Sequence, residues 1–271
     1  MELEKYLQRI NYHDALKTDV ETLKKLHRAH LLAIPYENFD IHLGRRIEHD
    51  EQAFYNKLVL QRRGGWCYEM NGLFAWALRQ AGFKVHLLSG SVRNSLNDDG
   101  EGNHLTLLVE LERPYLVDVG FGDGFLEPLP LEEGEFEQGF LSFRLTREGE
   151  YWICHNHPHG GAKRYDFTLK PRRLEEFAAR SHELQTSPTS GFVRTAVCQH
   201  YTSDSLIILR GALFKSVSAA GVEEKTVTSE AEFKQVLKEH FKLDLGDTAE
   251  LWPKIWERHQ EWLRQQQSQP I

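Results

Sequence analysis

One of the three cysteines in the sequence, Cys67, stands in a run whose composition could activate a thiol. The run at 63–72 reads RGGWCYEMNG, so two glycines precede Cys67 and a helical apolar pattern follows it. The glycines allow a tight turn that a Cβ would obstruct. A helix that begins at Cys67 would direct unpaired N–H groups at the sulfur, which favours a thiolate and could stabilise an oxyanion. The run predicts a nucleophile, although a small buried cysteine fits the same pattern.

A cysteine nucleophile needs a base that a carboxylate or an amide holds in one tautomer. His104 lies in the run NHLT at 103–106, and Asp118 interrupts the apolar run LVDVGFG at 116–122. A carboxylate in an apolar strand is costly without a partner. Both positions are even-numbered, so a symmetric turn between the two strands would place His104 and Asp118 on one face of a sheet.

The register between these two strands decides whether the side chains meet. A tight turn centred on Arg113 sets Asp118 opposite Leu108 and leaves His104 about 13 Å away along the strand. Contact requires a pairing centred near Leu111, a β-bulge, or a chain that curls at the following glycines. Otherwise Asp118 would cap a turn and His104 would lie at the surface, so the residues alone leave both possibilities open.

Helical patterns fill the first third of the chain and lead to the cysteine. Apolar residues recur at helical spacing over 3–10, and a capping box at 18–21 opens a second helix that Pro35 ends. A third helix is predicted over 51–61, and a fourth runs over 67–82 from the cysteine to a glycine stop.

The pattern then changes to period two and to short apolar runs, which are typical of strands. These strands are predicted at 85–92, 104–111, 115–121, 140–145, 151–155 and 165–169. They form an antiparallel unit of about 100 residues whose strand spacing is compatible with a barrel. The last third combines a strand at 205–213 with a helix that opens at a capping box over 229–232 and a final helix near 255–263.

Composition limits the class of protein. The 271 residues carry a net charge of −7, which argues against nucleic acid as the main partner because phosphate binding needs a basic surface. No apolar run approaches the ~20 residues that span a bilayer, and the acidic start has no signal-peptide core. Unpaired cysteine spacing favours free thiols and no zinc site. We expect a cytoplasmic protein without metal or membrane partner, as a monomer or a weak homodimer.

Three stretches occur in a distinctive order: RGGWC at 63–67, then His104, then VDVGFG at 117–122. With LHRAH and IPYENF inside 26–39, and TSP followed by a phenylalanine inside 186–192, they make the sequence resemble the arylamine N-acetyltransferase family. The resemblance covers the chain from about residue 3 to about residue 245.

The resemblance implies an α+β fold around a cysteine-protease-like catalytic core. Its three parts would be an N-terminal helical domain at 1–82 that carries the nucleophile, a central antiparallel β-barrel at 83–195 that carries the histidine and the aspartate, and a C-terminal α/β lid at 196–271.

The resemblance also assigns roles by motif position. Cys67 is implied as the acyl-accepting nucleophile, His104 as its base and Asp118 as the residue that orients the base. A second set of implied roles concerns the substrate pocket and a supporting charged pair: Tyr36 and Phe121 line the aromatic pocket, and Glu37 pairs with Arg63.

The implied activity is ping-pong transfer of an acetyl group from acetyl-CoA to a small aromatic amine or hydrazine, through a thioester on Cys67. Three other functions stay open: a Cys-His-Asp hydrolase, an amide synthase of the same superfamily that acts on a carrier-bound chain, and a module that binds aromatic ligands without catalysis.

Overall fold

The computed structural model describes residues 1–92 and 101–268. Its first third is helical, as predicted: α1 (Leu3–Arg9), α2 (Val20–Ala33), a two-residue strand β1 (Tyr36–Glu37), α3 (Phe39–His42), α4 (Glu51–Tyr55) with a π-helical turn (Asn56–Leu60), and α5 (Cys67–Gln80). No helix within the described ranges combines the length and the apolarity that a membrane crossing requires.

The N-terminus of α2 differs in detail from the capping box that the sequence predicts. Asp19, not Thr18, is the cap, and its carboxylate accepts the N–H of Thr22 at 2.8 Å. Asp19 has extended backbone angles, so the helix begins one residue later than a Thr18 cap would allow.

The helix α5 is buried on all sides. Every residue from Cys67 to Leu78 is buried, although the sequence predicts a single apolar stripe. The reason is that α1, α4, β2 (Lys84–Ser91) and β3 (Glu101–Glu110) all pack against it. A helix buried in this way has little freedom to shift, which fixes the position of its first residue, Cys67.

The middle of the chain forms one antiparallel sheet. Besides β2 and β3, its strands are β4 (Pro114–Val117), β5 (Leu129–Pro130), β6 (Gly134–Gln138), β7 (Leu141–Glu148), β8 (Tyr151–His155) and β9 (Arg164–Arg172). The order is β5-β4-β3-β2-β9-β8-β7-β6, and the sheet is a nearly closed eight-stranded barrel. The α+β fold class with a central β-barrel is therefore as predicted from the sequence.

The hairpin between β3 and β4 has a different register from the one expected for a turn centred on Arg113. Glu110 pairs with Pro114, so the turn is centred on Glu112. Pro114 is the first residue of β4, a position in a strand where a proline is tolerated.

This register shortens the separation of the two candidate catalytic side chains. Leu107 pairs with Val117, and extending the ladder by one residue sets Asp118 opposite Thr106. His104 then lies two residues along the strand on the same face, as a diagonal neighbour of Asp118 within reach of long side chains. A turn centred on Arg113 would have placed His104 four residues along the strand from the partner of Asp118, which is two residues too many.

The last third forms a second sheet with two helices on it. A 3₁₀ turn (Leu174–Phe177), α6 (Ala178–Thr186) and α7 (Gly191–Arg194) lead into β10 (Val197–Tyr201), β11 (Ser205–Arg210), β12 (Leu213–Ser218), β13 (Gly221–Thr226), α8 (Glu230–Phe241) and α9 (Thr248–Ser268). The strand order is β1-β10-β11-β12-β13. Because β1 belongs to this sheet, Tyr36 and Glu37 are held by the C-terminal part of the chain. The domain limits at 82/83 and 195/196 stay a prediction.

We predict that Gly72→Ala lowers the free energy of unfolding by about 1–2 kcal/mol. A Cβ at Gly72 would lie 2.6 Å from the ring of Phe54, and overpacking outweighs the ~1 kcal/mol that alanine adds to helix propensity. Urea unfolding measures the change. Gly246→Ala is the control because no atom lies within 4 Å of its added Cβ. If both variants are equally stable, the tight contact between α4 and α5 is wrong.

Candidate active site

Cys67 is the first residue of α5 and lies against the strand that carries His104. Its side chain is 2% exposed, and its Sγ is 3.9 Å from the carbonyl oxygen of Asn103. Burial raises the pKa of the Cys67 thiol, while the N–H groups of Leu105 and Tyr68 act in the opposite direction. A helix start therefore does not by itself make this thiol acidic, contrary to the expectation from the run at 63–72.

The side chains of His104 and Asp118 meet in a short hydrogen bond. His104 Nε2 is 2.6 Å from Asp118 Oδ2, and both side chains are buried. This contact leaves Nδ1 as the ring nitrogen available to another partner. His104 and Cys67 line the same cavity, so the structure brings the three predicted residues into one site.

The Asp118 carboxylate is fully buried but surrounded by donors. Its Oδ1 accepts the side-chain N–H of Asn71 at 2.8 Å and the backbone N–H of Gly120 at 2.9 Å. Burial alone would raise the pKa of Asp118, yet His104, Asn71 and Gly120 together lower it below its ordinary value. Asp118 is therefore an ionised acceptor in the interior.

Asn71 connects the helix that bears Cys67 to the loop that bears Asp118. Besides Asp118, its amide N–H donates to the carbonyl of Leu105, and its Oδ1 accepts the N–H of Val119 at 2.9 Å. Asn71 was not among the residues predicted for the site, although it lies four residues after Cys67 and so faces the same side of a helix.

Gly120 allows the loop after β4 to pass directly over the start of α5. A Cβ at this position would lie 2.7 Å from the carbonyl oxygen of Cys67 and 2.6 Å from Nδ2 of Asn71. Gly120, the first glycine in the run LVDVGFG, is thus required for the close approach that brings Asp118 over α5.

His27 supports the same loop from the other side and was also missed. Its Nε2 accepts the N–H of Asp118 at 3.3 Å, and its Nδ1 donates to the carbonyl of Leu126 at 2.8 Å. Burial lowers the pKa of His27 to about 4, so the imidazole is neutral and this tautomer is fixed. The signal that could have identified His27 is its place in the run LHRAH, which carries part of the family resemblance.

The thiol and the imidazole open into a cavity of about 490 Å³. Tyr36 and Phe121 line this cavity with Cys67 and His104. Their role in an aromatic substrate pocket stays a prediction. The ring of Phe121 meets the His104 ring edge-on at 5.3 Å, and Tyr165 lies 5.0 Å from both rings. Within residues 1–92 and 101–268, no group of three or more His, Cys, Asp or Glu side chains is arranged to hold a metal ion.

A buried group of charges lies behind the glycine turn. Arg63 contacts Glu37 at 2.7 Å and Asp40 at 3.1 Å, while Lys57 contacts Asp40 at 2.8 Å and Glu69 at 3.0 Å. The predicted pair of Glu37 and Arg63 is thus part of a larger cluster of three carboxylates and two cations. We call these five residues the buried charge cluster.

The buried charge cluster determines where α5 begins. Glu69 accepts the backbone N–H of Trp66, the residue before Cys67, at 3.1 Å, and Glu37 accepts the N–H of Phe39 at 2.7 Å. The N–H of Glu37 donates to the carbonyl of Gly65 at 2.9 Å. The turn that precedes Cys67 is therefore held by two residues of the cluster, by the side chain of Glu69 at Trp66 and by the backbone N–H of Glu37 at Gly65.

We predict that Glu69 makes stability depend on pH. Burial raises the pKa of Glu69 from 4.5 to about 7. Between these two pH values the carboxyl group is protonated in the folded protein and ionised in the unfolded chain. The stabilisation from this proton is complete below about pH 4.5 and is lost as the pH rises through about 7. Glu69→Gln should therefore gain stability relative to the unsubstituted protein across this interval, by up to about 3 kcal/mol.

Urea unfolding of both proteins at several pH values between about 4.5 and 8 measures this difference. The matched control is Glu239→Gln on the exposed side of α8, for which we expect no such trend. A difference for Glu69→Gln that stays constant with pH would contradict the prediction.

Comparisons with known proteins agree with this fold. A family model described as N-acetyltransferase matches residues 19–250. The pineal gland isozyme of arylamine N-acetyltransferase from Gallus gallus is 35% identical over 277 residues, which covers 90% of this chain and 95% of that protein.

Solved structures show the same likeness over most of the chain. The arylamine N-acetyltransferase of Mycobacterium marinum has a TM-score of 0.87 at 29% identity and covers 94% of this chain and 98% of its own. A structure of the same enzyme in complex with CoA has a TM-score of 0.86, with the same identity and coverage. The family resemblance and the three-part α+β architecture predicted from the sequence are confirmed. Because the matches span nearly the whole chain, this protein belongs to the arylamine N-acetyltransferase family.

Proposed function

We propose that the protein transfers an acetyl group from acetyl-CoA to an arylamine or arylhydrazine through a thioester on Cys67. The observation that carries the proposal is the single cavity that contains the Cys67 thiol, the His104 imidazole and aromatic walls, in a chain of this family. Arg210 lines the same cavity and supplies positive charge for a phosphate-bearing donor, while Arg180 lines it as an ion pair with Glu183 at 2.7 Å.

His104 activates the thiol in this proposal. The proton moves from Cys67 Sγ to Nδ1 of His104, because Nε2 faces the ionised Asp118. The resulting imidazolium lies between a thiolate and a carboxylate, which offsets the penalty that burial places on the thiolate. Asp118 therefore acts by orienting His104 and stabilising its charged form.

The first half-reaction acetylates the enzyme. The Cys67 thiolate attacks the thioester carbonyl of acetyl-CoA, and the N–H groups of Tyr68 and Leu105 beside Sγ are donors for the oxyanion. When the tetrahedral intermediate collapses, the bond to the CoA sulfur breaks. The CoA thiolate then takes the proton from His104 and leaves as a thiol.

The second half-reaction transfers the acetyl group to the amine. The amine nitrogen attacks the acetyl-Cys67 carbonyl and passes its proton to Nδ1 of His104. The C–N bond remains, Cys67 leaves as a thiolate, and the proton returns to it. Neutral aromatic amines suit the walls formed by Tyr36 and Phe121 because burying them removes little charge from water.

We further propose that the protein acts in the cytoplasm as a monomer or a weak homodimer. Support for a reducing compartment comes from its cysteines: Cys67, Cys154 and Cys198 are all free and buried.

We predict that Cys67→Ala abolishes acetyl transfer because no thioester can form. Intact-protein mass spectrometry after addition of acetyl-CoA should show one acetyl group on the unsubstituted protein, and an arylamine should remove it. Cys198→Ala, at another buried cysteine outside the cavity, should remain acetylated. Acetylation of Cys67→Ala to the same extent would refute the nucleophile assignment, and loss of the label in water at the same rate as with amine would indicate a hydrolase.

We predict that Asp118→Asn slows both half-reactions by about 10²–10⁴-fold, because the amide no longer fixes the tautomer of His104 or stabilises its charged form. Single-turnover rates of acetylation and deacetylation measure the loss. The exposed Asp204→Asn serves as the control for removal of one negative charge. Rates within about threefold of the unsubstituted enzyme would rule out the orienting role.

A further inference from the structure

The barrel is open along one line, between the two strands at the ends of its sheet. The sheet ends at β5 on one side and at β6 on the other, and these two strands do not pair within the described ranges. We call the opening between them the barrel seam. It contains a cavity of about 500 Å³, a volume typical of binding sites, which shares no lining residue with the cavity at Cys67.

The two edges of the barrel seam differ in their ability to pair with a further strand. The strand β5 consists of Leu129 and Pro130, and Pro128 precedes it. Because proline has no N–H, these residues protect that edge from pairing. The strand β6 (Gly134–Gln138) contains no proline. The outer edge of β6 is therefore the one that can accept another strand.

The register of the hairpin between β6 and β7 shows which backbone groups face the barrel seam. Gln138 pairs with Leu141 across a two-residue loop, and the pair that flanks such a loop is hydrogen-bonded. Hydrogen-bonded and non-hydrogen-bonded pairs alternate from there, so Glu135 and Glu137 fall in non-hydrogen-bonded pairs. Their backbone N–H and C=O groups therefore point away from β7 and form a row at the barrel seam that a neighbouring strand can bind.

One side chain already imitates strand pairing at an end of the barrel seam. The amide of Gln138 donates to the backbone carbonyl of Glu127 at 2.8 Å and accepts the N–H of Glu127 at 2.9 Å. These are the two hydrogen bonds that a residue exchanges with its partner in an antiparallel pair. The wall opposite β6 thus binds an amide group in the manner of a strand.

The cations in the lining of the barrel seam are already paired. Lys24 contacts Glu127 at 3.3 Å, and Arg113 contacts Glu132 at 3.3 Å. Neither cation is therefore available to neutralise the carboxylates that β6 contributes to the lining.

The carboxylates of β6 are exposed and lie on one face of the strand. Glu135 and Glu137 alternate along β6 and so project to the same side, while Phe136 between them packs against the core and lines the cavity. Arg144 lies opposite Glu135 on β7 but forms no ion pair with it. Within residues 1–92 and 101–268, neither glutamate forms an ion pair. The edge therefore presents negative charge to a partner.

We propose that the barrel seam binds an extended segment of another protein as an antiparallel strand beside β6, with basic residues opposite Glu135 and Glu137 and an apolar residue opposite Phe136. Every pair in this sheet is antiparallel, and residues directly opposite each other share a face. Backbone hydrogen bonds supply the affinity in this binding mode, and alternate side chains supply the sequence preference. A second copy of this chain is a poor partner, because its own β6 would bring the same two carboxylates.

The probe for this proposal is a peptide of sequence KVKVKVK with an N-terminal fluorescein, titrated with the full chain and followed by fluorescence anisotropy. We expect saturable binding with a Kd of about 10–100 µM. Raising the salt concentration from about 0.05 M to about 0.5 M should weaken it at least ~10-fold. A peptide with glutamate in place of every lysine should not bind.

Methylation of backbone nitrogens separates strand pairing from attraction between charges. In an antiparallel pair, the peptide residues opposite Glu135 and Glu137 direct their N–H groups at β6. Methyl groups on the lysine nitrogens should therefore weaken binding at least ~10-fold, whereas methyl groups on the valine nitrogens, which lie on the other edge of the peptide, should change the Kd by less than ~3-fold.

Charge reversal locates the binding site. Glu135→Lys combined with Glu137→Lys should weaken binding of the unmethylated peptide at least ~10-fold, because two attractions become two repulsions. The matched control is Glu223→Lys combined with Glu224→Lys on β13, the exposed edge strand of the second sheet, for which we expect less than ~3-fold change. Thermal unfolding establishes that both double variants fold.

Three results would overturn the inference. Absence of saturable binding up to about 1 mM peptide would mean that the two glutamates only protect the edge of β6 from self-pairing. Equal binding of the two methylated peptides would exclude strand addition. An equal loss of affinity in both double variants would mean that the peptide is attracted to negative charge at any edge.

Discussion

The burial of one carboxylate, Asp118, is the constraint on which the architecture around the site depends. A buried carboxylate is tolerated only when donors surround it, and here Asn71 donates from α5, His104 from β3 and the N–H of Gly120 from the loop after β4. His27 in α2 accepts the N–H of Asp118 and so holds the backbone of the same residue. Each of these elements must dock correctly before Asp118 is satisfied, so correct packing and a correctly oriented imidazole form together.

The start of α5 is fixed by a second set of buried charges. Ion pairs in the interior contribute little net stability because desolvation offsets their attraction, but they are strongly directional. Glu69, a member of the buried charge cluster, accepts the N–H of Trp66 and contacts Lys57. Lys57 contacts Asp40, which in turn contacts Arg63. Because Trp66 is held in this way, α5 begins at the next residue. The elevated pKa of Glu69 indicates the energetic cost of this arrangement. The buried charge cluster therefore fixes where α5 begins and adds little to the free energy of unfolding.

Local patterns predicted the elements that make local contacts and missed those that depend on distant partners. The helices α2 and α5 and the central strands follow from spacing, whereas the expectation that Cys67, His104 and Asp118 lie together came from the resemblance in motif and not from spacing alone. The register of the β3–β4 hairpin did not, because Pro114 fits either a turn or a first strand position. The edge strand β13 was missed since Gly221–Thr226 is exposed and lacks alternation. The contacts of Asn71 and of Glu69 join distant parts of the chain, so local patterns could not predict them.

Burial has two opposite effects on Cys67, and together they explain why the site also needs His104 and Asp118. It raises the pKa of the thiol, which opposes attack on a donor, yet it also excludes water from an acetyl thioester that would otherwise hydrolyse. An exposed cysteine would ionise more easily and lose its acyl group more readily. The paired His104 and Asp118 resolve this conflict in the proposed reaction, because they supply a counter-charge only while the proton is on the ring.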